Sequence, residues 1–190
     1  GNSFLRWVRR RYVSAGAAGS NVSHSTGAYR MIDNTSSGQF FCSTHVGNED
    51  ASAVATGRTF FGFYGSTFFP NVNPSTASDL FGLSNDSTDT NMQIIHNDSS
   101  GSATKIDLGA SFPANTVSVD HYLFQFWKYA GSTEIHYYVN NIGNGAEVKG
   151  KVTTNLPVSG YYTVILNRNN GSTASAVRLS ASHLIISENK

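Results

Sequence analysis

Side chains that could do chemistry in this chain concentrate between Asp79 and Leu108. Asp86, Asp89 and Asn91 place three oxygen donors in one short turn, and oxygen donors are what hard cations such as Ca²⁺ select. The same residue types also form Asx turns, so the spacing predicts either a Ca²⁺ site or a tight acidic turn. His96 and Asp98 stand two apart and share one strand face, at a spacing that rarely gives direct contact. Cross-strand packing is therefore the expectation for His96, rather than a hydrogen-bonded dyad.

Motifs for catalysis are missing. The sequence has no Gly-x-Ser-x-Gly elbow, no His-Glu-x-x-His pair and no phosphate-cradling Gly-x-x-x-x-Gly-Lys-Ser/Thr loop. Glycosidases need two carboxylates flanking the scissile bond. The four Glu (Glu49, Glu134, Glu147, Glu188) never alternate along one strand. A pair drawn from distant parts of the chain, such as Asp86 with Asp120, is the arrangement left to a polysaccharide depolymerase. No catalytic residue is assigned, and the expectation is a protein without enzymatic activity. Cys42 is the single cysteine; it excludes an internal disulfide and reads as a small buried apolar residue.

The elements that position these groups are short. Hydrophobic residues make up 39% of the 190, charged ones only 13%, and aromatics 12%. That composition implies a modest, aromatic-rich core with much small polar loop. No apolar run approaches the roughly 20 residues of a membrane-spanning helix. The β-rich runs 28–32, 39–46, 58–64, 92–96, 103–108, 122–129, 134–140, 147–153, 161–167 and 176–186 are bounded by Gly, Asn, Asp, Ser or Pro and read as strands. Asp79–Leu108 as a whole reads as a meander: strand, acidic turn, strand, Gly/Ser turn, strand. Residues 51–57 could form one helical turn. Along 122–129, Tyr122, Phe124 and Phe126 face one way and Leu123, Gln125 and Trp127 the other; Tyr137 and Tyr138 likewise point to opposite faces. About ten short strands without intervening helices predict an all-β, antiparallel β-sandwich of jelly-roll type.

Net charge is +1, but residues 1–30 hold five Arg and no acid. Arg6, Trp7, Arg9, Arg10 and Arg11 form a basic stretch with interleaved aromatics, and residues 14–27 are small and flexible. Residues 1–27 are thus expected to be a basic arm and linker, and 28–190 the globular domain. Short basic runs of this kind also occur in nucleic-acid arms; a strand or connecting segment with solvated Arg is the preferred reading, and nucleic acid is not an expected partner.

Phe60-Phe61-Gly62-Phe63-Tyr64-Gly65, Phe81-Gly82-Leu83-Ser84, the run Asp89 to Asp98, Lys105-Ile106-Asp107-Leu108-Gly109, Phe112-Pro113 and Thr154-Asn155-Leu156-Pro157 resemble domains of tailed-bacteriophage fibres and other virion appendages. Those domains are similar to concanavalin-A-like lectin sandwiches, and the resemblance covers roughly residues 28–190. It implies a virion protein, folded in bacterial cytoplasm and exposed outside, often homotrimeric. Such a protein contacts other virion proteins and attaches to a host cell-surface glycan, with no catalytic residue carried over. The basic stretch resembles the segment that precedes this domain and would be the assembly or docking arm. A purely structural fibre or collar subunit is the alternative. A sugar site needs an aromatic platform with amide partners beside it; Trp127, Tyr129, Tyr138 and Tyr161 are the candidate platforms. Asn140, with Asn141 and Asn144 in the following turn, would supply hydrogen bonds.

Overall fold

The computed structural model describes residues 9–29, 39–115, 117, 120–158 and 160–189. Twelve strands run through them: β1 (Arg10–Val13), β2 (Asn21–Tyr29), β3 (Gln39–Asn48), β4 (Arg58–Tyr64), β5 (Leu80–Asn85), β6 (Gln93–Asn97), β7 (Thr104–Asp107), β8 (His121–Lys128), β9 (Ile135–Asn141), β10 (Glu147–Val152), β11 (Tyr162–Asn169) and β12 (Arg178–Asn189). They form two antiparallel sheets of six, ordered β1-β12-β3-β8-β9-β10 and β2-β11-β4-β5-β6-β7. The fold is the all-β sandwich that the sequence predicts. The 79–108 meander is present as β5, β6 and β7, while residues 51–57 make turns and no helix.

The expected division at residue 27 does not hold. Arg10–Val13 pairs with β12 in the first sheet, and Asn21–Tyr29 pairs with β11 in the second. The segment between them is tied down as well: Ser14 donates to Val177 and Gly19 to Gly171, at 3.0 and 2.8 Å. Small polar residues suffice here because both strands lie at sheet edges, where little side-chain area must be buried; Val22 of β2 is buried. Arg6 and Trp7 lie outside the described residues.

Between the sheets the core is aromatic. Phe63 meets Phe126 edge-on with ring centroids 4.5 Å apart, and Phe40 packs on both. β8 and β9 alternate as expected: Tyr122, Phe124, Phe126 and Tyr137, Val139 turn inward, while Trp127 and Tyr138 face out. Cys42 is fully buried among these rings, and burial pushes its thiol pKa far up. It is inert core, as anticipated.

At its four central strands, β11, β4, β5 and β6, the second sheet is buried on both faces, which explains the unbroken apolar run of β4. Its outer face carries Phe60, Leu80, Ile95 and Ile165, and the loop 65–79 folds over them. Phe69 from that loop stacks on Phe60 with centroids 4.4 Å apart and planes 11° from parallel. Gly82 makes room for this layer, since a Cβ there would meet the Phe60 ring at 2.9 Å. Asp79 closes the base of the loop in a left-handed conformation (φ 59°), its carboxylate accepting from Tyr162 Oη at 2.6 Å and Val158 N at 2.9 Å.

One end of the interior is polar. Arg168 on β11 is completely buried and pairs with the buried carboxylate of Asp50. Its Nη1 donates to Thr59 Oγ1 and Asn115 Oδ1, both at 2.9 Å, and Asn48 from the facing sheet bonds Thr59 at 3.0 Å. Burial pulls the guanidinium pKa down, and Asp50 opposes that pull.

Candidate functional site

The acidic turn is not a cation site. The ammonium of Lys105 takes that place, 3.1 Å from Asp86 Oδ2 and 2.6 Å from Asp89 Oδ2. Asn91 turns away and donates to Asp107 Oδ1 at 3.1 Å. The remaining carboxylate oxygen of Asp86 accepts from Ser75 N at 3.0 Å, so the turn clasps the covering loop of the second sheet. Lys105 lies on the neighbouring strand β7, and its approach was not legible from the spacing of Asp86, Asp89 and Asn91. Among the described residues no group of three or more His, Cys, Asp or Glu side chains gathers as a metal site. The donor set present does not fit Ca²⁺, because a cation there would have to displace Lys105.

Other candidates are also structural. His96 is buried and sits 3.1 Å from Asn155 O through Nδ1, while Asp98 Oδ1 binds Ser100; the two form no dyad. Asp86 and Asp120 do not pair: Asp120 accepts from Asn141 at 2.7 Å, and Asp86 is held by Lys105. Arg9 and Arg11 converge on Glu49, at 3.0 and 2.7 Å. Burial raises the Glu49 pKa, but the Arg11 hydrogen bond and the nearby charges outweigh it and hold the carboxyl below its ordinary value. Those two arginines therefore fasten β1 to its own sandwich, and Arg10 faces the gap between the β1 and β2 edges.

The outer face of the first sheet is different. No loop among the described residues covers it as the 65–79 loop covers the second sheet. Register places Phe41, Trp127 and His136 in one row across β3, β8 and β9, and Ser43, Gln125, Tyr138 and Lys149 in the next. Trp127 stacks on His136 (5.5 Å, 12°), and Tyr129 meets the same ring edge-on at 5.2 Å. Glu134 lies 3.0 Å from His136 Nε2 and 2.8 Å from Lys151 Nζ; Lys151 first, then His136, keeps its carboxyl pKa low. Gln125 Nε2 donates to Ser43 Oγ at 3.2 Å, and Asn140 Nδ2 to Glu147 at 3.2 Å.

A cleft of about 470 Å³ opens at the Trp127 end of this face, lined by Phe41, Gln125, Trp127, Tyr129, Gln39 and Ser187 among others. Aromatic faces beside amides and a hydroxyl are what a pyranose, apolar on its C–H face and polar at its rim, requires. Of the five expected sugar-site residues, Trp127 and Tyr129 line the cleft, and Tyr138 and Asn140 share its sheet. Tyr161 stands apart, exposed just before β11 of the other sheet. Asn141 and Asn144 are spent on the turn, both donating to Ser111 O. Phe41, Gln125 and His136 were missed. Strand alternation marks them as outward-facing, but only the register between β3, β8 and β9 brings them to Trp127.

No family model matches the chain, and no curated protein matches it in sequence. Its fold does match solved structures. The lectin UEA-II, complexed with galactose, superposes with a TM-score of 0.61 over 90% of this chain and 82% of its own, at 9% identity. Lectin I-B4 from Griffonia simplicifolia gives 0.59 over 90% and 81%, at 14% identity. An alginate lyase of polysaccharide lyase family 7, AlgAT5, gives 0.50 over 89% of this chain and 63% of its own, at 12% identity. The class defined is therefore the lectin-like, concanavalin-A-like β-sandwich. At such identities the likeness is one of fold, and function rests on the site.

Proposed function

We propose that this protein is a non-enzymatic carbohydrate-binding sandwich whose sugar site is the cleft beside Trp127 and Tyr129. The observation that carries this reading is the contrast between the two sheets. The outer face of the second is sealed by the chain's own loop, while that of the first presents aromatics and amides to solvent around a cleft of ligand size. The lectin-like fold of the neighbours supports it. The finer reading is a virion appendage domain, extracellular, homotrimeric and docked to other virion proteins, that attaches to a host-surface glycan. The motif resemblance over residues 28–190 supports that part. A purely structural subunit would bind virion components and no sugar.

Titration of the isolated chain against a panel of neutral and acidic glycans tests the site. Trp127→Ala is expected to weaken the best ligand at least tenfold, about 1.4 kcal/mol, while Tyr161→Ala leaves it unchanged. A wild-type chain that binds no member of the panel refutes the reading, and so does an unaffected Trp127→Ala. Loss of polymer length on incubation would replace binding by depolymerisation.

A further inference from the structure

At one side of the sandwich the two sheets end in their edge strands β1 and β2, which face each other through Tyr12 and His24. A cleft of about 320 Å³ opens there, within the roughly 300–1,000 Å³ range of small-molecule sites. Its floor is apolar. Leu166 of β11 belongs to the main core, and Ala181 and Leu184 of β12 pack half-buried against that core. Its rim is polar. Tyr12 stacks on His24 with centroids 5.5 Å apart and planes 24° from parallel, and Tyr12 Oη lies 3.4 Å from His24 Nδ1. The register of β12 against β3 slips by one residue between Ser182 and Leu184. Bulges of this kind re-aim side chains and recur beside functional sites, and here the extra residue, His183, is exposed and lines the cleft with Ser182. Both of these are engaged with His45: Ser182 Oγ lies 3.3 Å from its Nδ1, and the two imidazoles meet edge-on at 4.5 Å.

The charge at the mouth follows from strand alternation. Arg9, Arg10 and Arg11 are consecutive in an extended segment, so the outer two project to one side and the middle one to the other. Arg9 and Arg11 reach Glu49. Arg10 stands opposite Ala181, is exposed, and lines the cleft. Among the described residues it forms no ion pair, and the lining contains no carboxylate. An accessible guanidinium at the mouth of an apolar hollow complements a ligand with an anionic head and a hydrocarbon tail. The planar fork of arginine matches a carboxylate with two parallel hydrogen bonds. The hydroxyls of a sugar would find few partners against Leu166, Ala181 and Leu184.

We infer that the cleft between β1 and β2 binds a free medium-chain monocarboxylate, its tail over Leu166 and Leu184 and its carboxylate at Arg10. This cleft shares no lining residue with the one beside Trp127, so the inference stands or falls apart from the sugar reading.

Calorimetric titration of the full chain uses linear carboxylates from butanoate to dodecanoate, the 1-alkanols of the same lengths, and phosphatidylglycerol vesicles. Each added methylene is expected to tighten binding about fourfold until the hollow is full, after which affinity levels off. At equal length the alkanol is expected to bind at least tenfold more weakly, and the vesicles not at all. Arg10→Gln is expected to remove the preference for carboxylate over alkanol. Because Arg10 is exposed and Arg9 and Arg11 hold the segment, that variant should keep the wild-type urea midpoint. Ala181→Leu, which fills the floor, is expected to weaken octanoate at least tenfold, and Trp127→Ala to leave it unchanged. Absence of binding by every carboxylate overturns the inference. So does an Arg10→Gln variant that still prefers carboxylate to alkanol, or an affinity that does not change with chain length. Binding to vesicles without binding of free carboxylates also overturns it, since Arg10 would then meet a membrane surface rather than a single tail.

Discussion

Asp50→Asn should be among the most damaging single substitutions in this chain. The side chain of Arg168 is fully buried, with Asp50 as its paired carboxylate. Replacing Asp50 with its isostere leaves the guanidinium desolvated and without that counter-charge, and weakens the bond that Asp50 Oδ1 accepts from Arg178 N at 2.7 Å. Breaking a buried pair from one side costs about 3–5 kcal/mol, whereas replacing both partners with well-packed neutral groups is often near neutral. For a domain of this size each kcal/mol moves the Tm by roughly 2–4 °C, so Asp50→Asn should lower it by about 6–20 °C. The double variant Asp50→Asn with Arg168→Met should recover most of that loss. Urea denaturation monitored by tryptophan fluorescence gives all four corners of the cycle. A cost for Asp50→Asn below about 1 kcal/mol, or a double variant no more stable than the single one, would show that the pair is not the electrostatic unit described.

Two further outcomes are expected. Phe69→Ala should cost about 3–5 kcal/mol and uncover the outer face of the second sheet, so that the native variant binds a hydrophobic dye; a variant as stable as wild type would mean the loop is not a packed layer. Stability should also fall in mild acid. Burial first, then His183 and His121, lowers the His45 pKa from 6.5 to about 4. The unfolded chain thus takes up the proton first, and stability present above pH 6.5 is lost as the pH drops toward 4, with the lowered His96 and His121 adding in the same sense. The urea midpoint should decline from pH 7 to pH 4.5, less steeply in His45→Gln, and a flat profile would contradict the burial of these rings.

The sandwich was legible because β8, β9 and the 79–108 meander carry their burial pattern in local sequence. Tyr122, Phe124 and Phe126 alternate with Leu123, Gln125 and Trp127, and turn residues bound each run. β1 and β2 were not legible, since an edge strand held by backbone pairing needs few apolar side chains and reads as linker. The metal reading of Asp86, Asp89 and Asn91 failed for a related reason. Three donors in one turn say nothing about a cation arriving from β7, and Lys105 supplies it. Trp127 and Tyr129 were found as aromatics next to a strand end; His136 and Phe41 came only with the pairing register, which a single sequence does not encode.

The unequal dressing of the two sheets bears on how such a protein diversifies. The sealed sheet, its loop cover and the Arg168 end of the interior are buried, and substitutions there disturb packing or strand a charge. On the open face, the half-buried Gln125, Tyr138 and Asn140 and the exposed Lys149 project from a backbone fixed from behind, and surface positions away from packed or charged features usually tolerate exchange within about 0.5 kcal/mol. Recognition can therefore drift, residue by residue, without a matching penalty in folding. The same asymmetry makes this face a natural place to randomise when building a library of new binding specificities on the scaffold.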